Sequence, residues 1–303
     1  MHSKGGILNG WMIPPIDSLV ARYVECYWFI NTVKDDDGIA HPKLNPDTCG
    51  HLILTPKYQA YDYQSEAYST QGKGSHWLFP YNKTYTMDHS EPMTLLGIKF
   101  HTGALYSLNL EPNTVEVNRI AQVDVEQLFQ QFPPKPDSNL AAQLNVSLDS
   151  YLESSLASLL QVGQQDQTAC AELLDQLLLP WVSTAKDDKH SELVRKAIAL
   201  PPEVVISQMG QQLHCSQRTL ERSFLRVTGM TLKQCQSINK LDNLLTHLSK
   251  HENNDINWSD IAQQFGFSDQ PHLIRYLKNA IGNTPREYAK SREFVIDIYG
   301  NFE

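Results

Sequence analysis

The stretch "QQFGFSDQPHLIRYLKNAIGNTP", Gln263 to Pro285, decides how the rest of the chain is read. Leu273, Tyr276 and Leu277 recur at helical steps on one side, while Arg275 and Lys278 stand on the other. Gly266 precedes the run and supplies the left-handed residue that ends a helix before it. Thr284-Pro285 follows, a cap and then a proline at a first helical position. Upstream the chain reads "QQLHCSQRTLERSFLRVTGMT", Gln211 to Thr231. Gln211-Gln212 aligns with Gln263-Gln264 at an offset of 52. After one inserted residue, Leu220 aligns with Leu273, Arg222 with Arg275, Phe224 with Leu277 and Gly229 with Gly282, at an offset of 53. An internal repeat fixes architecture, and two copies are too few for a solenoid, so this is a duplicated module.

A short amphipathic segment precedes each copy. "EVVISQMGQQL" sets Val205, Met209 and Leu213 four apart; "NWSDIAQQF" opens on Asn257 as cap and steps through Trp258, Ile261, Ala262 and Phe265. A short helix, a turn with a special backbone need and a second helix make a helix-turn-helix, expected at 204–229 and at 257–282. In such a motif the second helix presents its N-terminal end to base edges in the major groove. With Leu220, Phe224 and Val227 on the buried side, Arg218, Glu221 and Arg222 fall on the other. The candidate DNA-contacting residues are Ser216, Gln217, Arg218, Glu221 and Arg222 in the first unit. In the second they are Ser268, Gln270, His272, Arg275 and Lys278. Arg218 and Gln270 suit guanine and adenine edges; Arg222, Arg275 and Lys278 suit phosphates, which position without specifying. One amphipathic helix with outward arginines is usually only a solvated face; two matched copies favour the reading helices. The segment between them, from Lys233, has Ile238, Leu241, Leu244, Leu245 and Leu248 on one face. About 18 residues at 1.5 Å each give a helix of about 27 Å, near the ~34 Å between successive major grooves.

Charge divides the chain in the same place. The net charge of −9 over 303 residues comes from 12 Lys/Arg against 22 Asp/Glu in residues 1–189, 13 against 9 in residues 190–292, and three further acids in residues 293–303. An acidic front and a mildly basic back suggest two domains with different partners. Cys26, Cys49, Cys170, Cys215 and Cys235 are scattered, with no CxxC, which reads as reduced thiols in a cytoplasmic protein without a zinc site. No apolar run of about 18 residues occurs, so no membrane span is expected, and the N-terminus lacks a secretory layout.

Residues 1–120 read as β structure, with "YVECYWFI" (23–30), "GHLILTP" (50–56) and "MTLLGIKF" (93–100) separated by turn residues. Residues 121–182 turn helical, and their leucine faces serve either a subunit interface or packing on the β region. Residues 183–190 form the linker, 191–292 the helical DNA-binding domain and 293–303 a tail. The histidines of the β region show no His-x-His pair, and no phosphate loop or nucleophile elbow occurs, so no metal, cofactor or catalytic residue is expected. "GSHWLFPYNKTY" (74–85) is the candidate pocket lining, with His76, Trp77 and Tyr81, and with His41 added from upstream; plain wall residues are the competing reading.

Residues 190–292 resemble the DNA-binding domain of the AraC/XylS family of transcription regulators. Its signature is filled by Ile261, Ala262, Gly266, Phe267, Ser268, Leu273, Arg275, Lys278, Gly282, Thr284, Pro285 and Tyr288. Ser216, Leu220, Arg222, Phe224, Thr228 and Gly229 fill the first unit, which then departs to "TLKQC" where a proline and a tyrosine are usual. "YVECYWFI", "LNPDTCGHLIL" and "LLGIKFHTGAL" are similar to the family's regulatory half. The resemblance implies an α+β protein: a cupin-like β-barrel that senses an effector, a helical interface segment, and an all-α domain with two helix-turn-helix motifs. It implies double-stranded DNA, a small-molecule effector, a second copy in a homodimer and RNA polymerase as partners, and no membrane. A cupin-type enzyme, or a protein–protein adaptor with a vestigial DNA-binding domain, is the alternative.

Overall fold

The computed structural model describes residues 9–32, 41–66, 69–110, 115–131, 148–200, 204–249 and 257–281. Gly282, Thr284, Pro285, Tyr288 and the tail 293–303 lie outside them. Among the described residues, ten strands form two antiparallel sheets. The larger has the order β1 (Asn9–Ile13), β2 (Val24–Asn31), β9 (Thr94–Phe100), β4 (Gly50–Leu54), β7 (His76–Leu78), β10 (Ile120–Gln122). The smaller has the order β3 (Lys43–Leu44), β8 (Tyr85–Met87), β5 (Ala60–Gln64), β6 (Ser69–Lys73). The expected barrel is therefore a cupin-like pair of sheets that does not close among the described residues. Strands of two or three residues, such as β3 and β10, hold too few backbone groups in register to carry the ladder from one sheet into the other.

The large sheet is buried on both faces, which is why β2 reads as an almost unbroken apolar run. Cys26, Trp28 and Ile30 point between the sheets, toward Tyr63, Tyr81, Tyr85 and Met87. Tyr27 and Phe29 point the other way, beneath helices. Gly97 on β9 makes room for the Trp28 indole, since a Cβ there would overlap the ring. After the short helices α1 (Ala104–Ser107) and α2 (Val125–Gln130), the covering layer is α3 (Leu148–Gln165) and α4 (Gln167–Val182). Trp181 lies 6.1 Å from Trp77 and 5.8 Å from Phe100, ring centre to ring centre. Asp175, also buried, accepts from the backbone of Ile16 and Asp17 and from Tyr27 Oη, tying α4 to the first strands. The leucine-rich helices thus pack on the sheet.

The C-terminal region runs α5 (Lys189–Ile198), α6 (Ile206–Gln212), α7 (Gln217–Thr228), α8 (Leu232–Ser249), α9 (Trp258–Gln264) and α10 (Gln270–Ile281). Helix α8 divides its apolar face between two cores. Leu232, Cys235 and Ile238 join α5, α6 and α7; Leu241, Leu244, Leu245 and Leu248 join α9 and α10. Helix α5 starts inside the segment expected as linker, because Asp188 caps it: Asp188 Oδ1 accepts from the His190 and Ser191 N–H groups, and Ser191 Oγ accepts from Asp188 N.

Candidate nucleic-acid interface

Each unit is assembled by local chemistry. In the first, α6 ends in a turn where His214 holds a left-handed φ of 53°. Gly210 lets α6 approach that turn, since a Cβ there would sit 2.7 Å from Cys215 O. Ser216 Oγ then accepts from Thr219 N at 3.1 Å and starts α7. Gly229, at φ 72°, ends it. In the second unit, Asn257 Oδ1 accepts from Ser259 and Asp260 N–H to start α9. Gly266, at φ 65°, ends that helix, and Asp269 Oδ1 accepts from His272 N at 2.7 Å to start α10.

The buried face of α7 is the expected Leu220, Phe224 and Val227; in α10 Leu273 and Leu277 are buried as expected, Ile281 joins them, and Tyr276 is only half-buried. Ser216, Gln217, Arg218, Glu221 and Arg222 are all exposed. Gln217 Nε2 donates to Glu221 Oε1 at 2.9 Å, one helical turn on. In the second unit Ser268, His272, Arg275 and Lys278 are exposed and Gln270 is half-buried. Ser268 Oγ and His272 Nδ1 are 3.2 Å apart, so these two polar groups hold each other at the start of the helix. Tyr276 is half-buried, and its hydroxyl donates to Ser237 O on α8. Lys240 Nζ sits 3.7 Å over the Phe267 ring; these contacts fix the second unit on the connecting helix.

The opposite ends of both reading helices dock on the sheet domain. Arg226 Nε donates to Tyr106 Oη, and a Cβ on Gly229 would fall 2.2 Å from Val115 O. At the end of α10, Lys43 Nζ donates to Ile281 O at 3.3 Å and Thr84 Oγ1 to Ala280 O at 2.8 Å, a cation and a hydroxyl on helix C-terminal carbonyls. The N-terminal ends, which carry the candidate contacts, stay open to solvent.

A helix-turn-helix domain family matches residues 209–291. The C-terminal region of the chain is a helix-turn-helix domain of the AraC type. A domain of unknown function, DUF6597, matches residues 12–116 of the chain. The chain is 26% identical over 129 residues to the uncharacterized HTH-type transcriptional regulator YidL of Escherichia coli K12; the match spans 40% of the chain and 42% of the relative's length. Among solved structures, a ToxT variant from Vibrio cholerae is 10% identical with a TM-score of 0.43, over 86% of this chain and 97% of that one. The C-terminal domain of AraT from Geobacillus stearothermophilus is 18% identical with a TM-score of 0.30, over 38% of this chain and 97% of that one. At these scores neither likeness bears on function.

The four candidate effector residues are not gathered in one place. His76 and Tyr81 are buried between the sheets, Trp77 faces Trp181 on the opposite side, and His41 is exposed, 4.0 Å from Asp88. His76 Nδ1 donates to Gly74 O at 3.0 Å, which leaves Nε2 to accept from Tyr63 Oη at 2.8 Å. Burial lowers the His76 pKa to about 4, against the opposing pull of the Gly74 carbonyl.

Sequence reasoning missed the polar contacts that join the two domains. Asp187 accepts from Arg22 (2.6 Å), Tyr23 Oη (3.2 Å) and Ser107 Oγ (2.8 Å) on the sheet side and from Arg195 (2.8 Å) on the helical side. Burial alone would raise its pKa; the bonds from Arg195 and Ser107 and the charge of Arg22 outweigh that and hold it at about 2. The local signal was present: Asp188 with Ser191 three residues on is a helix start, so "AKDDKHSE" is not a free tether.

Proposed function

We propose that this protein is a sequence-specific transcription regulator, binding DNA through both helix-turn-helix units and responding to a small-molecule effector through its N-terminal domain. The observation that carries the reading is the pairing of two capped reading helices, each with exposed arginine at its outer face, on one 18-residue connecting helix. Arg218 and Gln270 read bases; Arg222, Arg275 and Lys278 hold phosphates; Ser216, Gln217, Glu221, Ser268 and His272 complete the surface. The division that goes with this is an effector domain over 1–120, a packing segment over 121–182, a connector over 183–190, the DNA-binding domain over 191–292 and a tail. The protein acts in the cytoplasm, as a binder and not an enzyme, and a homodimer and RNA polymerase are its further partners. The test is selection of bound sequences from a random duplex library by the full chain, followed by titration with salt. A recurring asymmetric motif spanning two major grooves is expected, with log K falling by about 0.9 per phosphate neutralised for each decade of salt. Binding without a motif, or without a salt slope, overturns the reading.

A further inference from the structure

A cavity of about 520 Å³ lies between the sheet domain and the first helix-turn-helix unit, within the size range of small-molecule sites. Its lining is dipolar. Arg22, at the end of the short helix Val20–Arg22, and Arg195, on α5, each give an N–H to Asp187 and present the rest of the fork to the cavity. The carboxylates are Glu25, Asp47 and Asp242. Glu25 is the extra residue of a β-bulge between β2 and β9, where Val24 pairs with Phe100 and Cys26 with Lys99. A bulge turns a side chain out of the alternation of its strand. Lys99 Nζ lies 3.2 Å from Glu25 and 3.3 Å from Asp47, so it neutralises one of the two. Asp242, on α8, has no hydrogen bond or ion pair among the described residues; burial raises its pKa, the charge of Lys99 works against that, and Asp47 and Glu25 add to the rise.

With Asp187 included, three permanent cations face four carboxylates, and His101 also lines the wall, 3.9 Å from Glu25. A purely anionic ligand would meet net negative charge, and a diamine would leave the arginine pair unused. We propose that this cleft binds a small zwitterion of the amino-acid type, its carboxylate on Arg22 and Arg195 and its ammonium on Asp242 and Glu25. This identifies the effector class and so rests on the regulator reading above. The site needs both domains: Arg22 and Glu25 belong to the sheet side, Arg195 and Asp242 to the helical side. Occupancy therefore biases how the first unit docks, because the ligand bridges charged groups of both domains.

The test uses the full chain with the twenty amino acids, β-alanine and γ-aminobutyrate, and with the dianion succinate and the dication putrescine as comparators of one sign of charge. At about 10 mM, at least one zwitterion is expected to raise Tm by about 2–6 °C, and the comparators by less. Asp242→Asn and Arg195→Lys should each weaken that ligand about tenfold or more by calorimetry, while Glu172→Gln on α4, away from the cleft, leaves it unchanged. No Tm rise with any zwitterion, equal binding of the comparators, or unchanged affinity in both cleft variants overturns the proposal. Salt-dependent binding of a selected DNA motif by the same preparation separates the two ideas. If it persists without zwitterion binding, the cleft assignment alone fails; if it is absent while a zwitterion binds, the regulator reading fails.

Discussion

Arg226 Nε donates to Tyr106 Oη at 2.7 Å, and the same hydroxyl donates to Asp188 Oδ2 at 2.8 Å. One phenol thus joins the rear of the first reading helix to the capping residue of α5. Tyr106→Phe removes both bonds and leaves the ring. The expected result is a Tm lower by about 2–4 °C, with faster tryptic cleavage at Lys186 and Lys189. Unchanged cleavage would show that this contact does not hold the domains together.

On the proposed reading, the two helices divide recognition by position. Arg218→Ala should cost about 1–3 kcal/mol on the selected sequence and relax preference at one base pair. Arg275→Ala and Lys278→Ala should weaken all sequences alike and each lower the salt slope by about one. Competition binding against single-base variants of the selected site at two salt concentrations distinguishes these effects.

Gly229 and Gly266 share a left-handed backbone, at φ 72° and 65°, but differ in surroundings. A Cβ on Gly266 meets nothing within 4 Å, so Gly266→Ala should cost only the backbone strain, about 1–2 kcal/mol. A Cβ on Gly229 would strike Val115 O, so Gly229→Ala should cost more and also loosen the docking of α7. Urea denaturation of the two variants gives the comparison; equal losses would refute the close approach.

His76 makes stability depend on pH. Its folded pKa is about 4, below the ordinary histidine value of 6.5, so the unfolded chain binds the proton more readily between these limits. Stability is therefore complete above pH 6.5 and declines as pH falls toward 4, by up to about 3 kcal/mol from this residue. His76→Gln should make the profile shallower in that window, leaving the share of His89, whose pKa burial also lowers to about 4. Asp187 acts lower: its folded pKa of about 2 means its contribution is lost only as pH falls below the usual carboxylate range. Denaturant midpoints from pH 7 to pH 3 for the two proteins test this.

Much of the helical half was legible in the sequence because its determinants are local. Ser216 and Asn257 cap their own helices, Gly229 and Gly266 sit where only a left-handed backbone ends the turn, and the apolar steps of α7 and α10 name their buried faces without reference to anything distant. The repeat then fixed the connecting helix. The β half was legible only as strands. Whether they close depends on pairings between residues far apart in the chain, and the alternation in β2 was hidden because both of its faces are covered. His76, Trp77 and Tyr81 lie within six residues, yet a strand sends neighbours to opposite faces, so their proximity in sequence carried no information about a shared pocket. The cleft was beyond sequence reasoning for the same reason. Arg22, Glu25, Arg195 and Asp242 come from separate elements, and only the docking of α5 and α8 on the sheet domain brings their charges to one cavity.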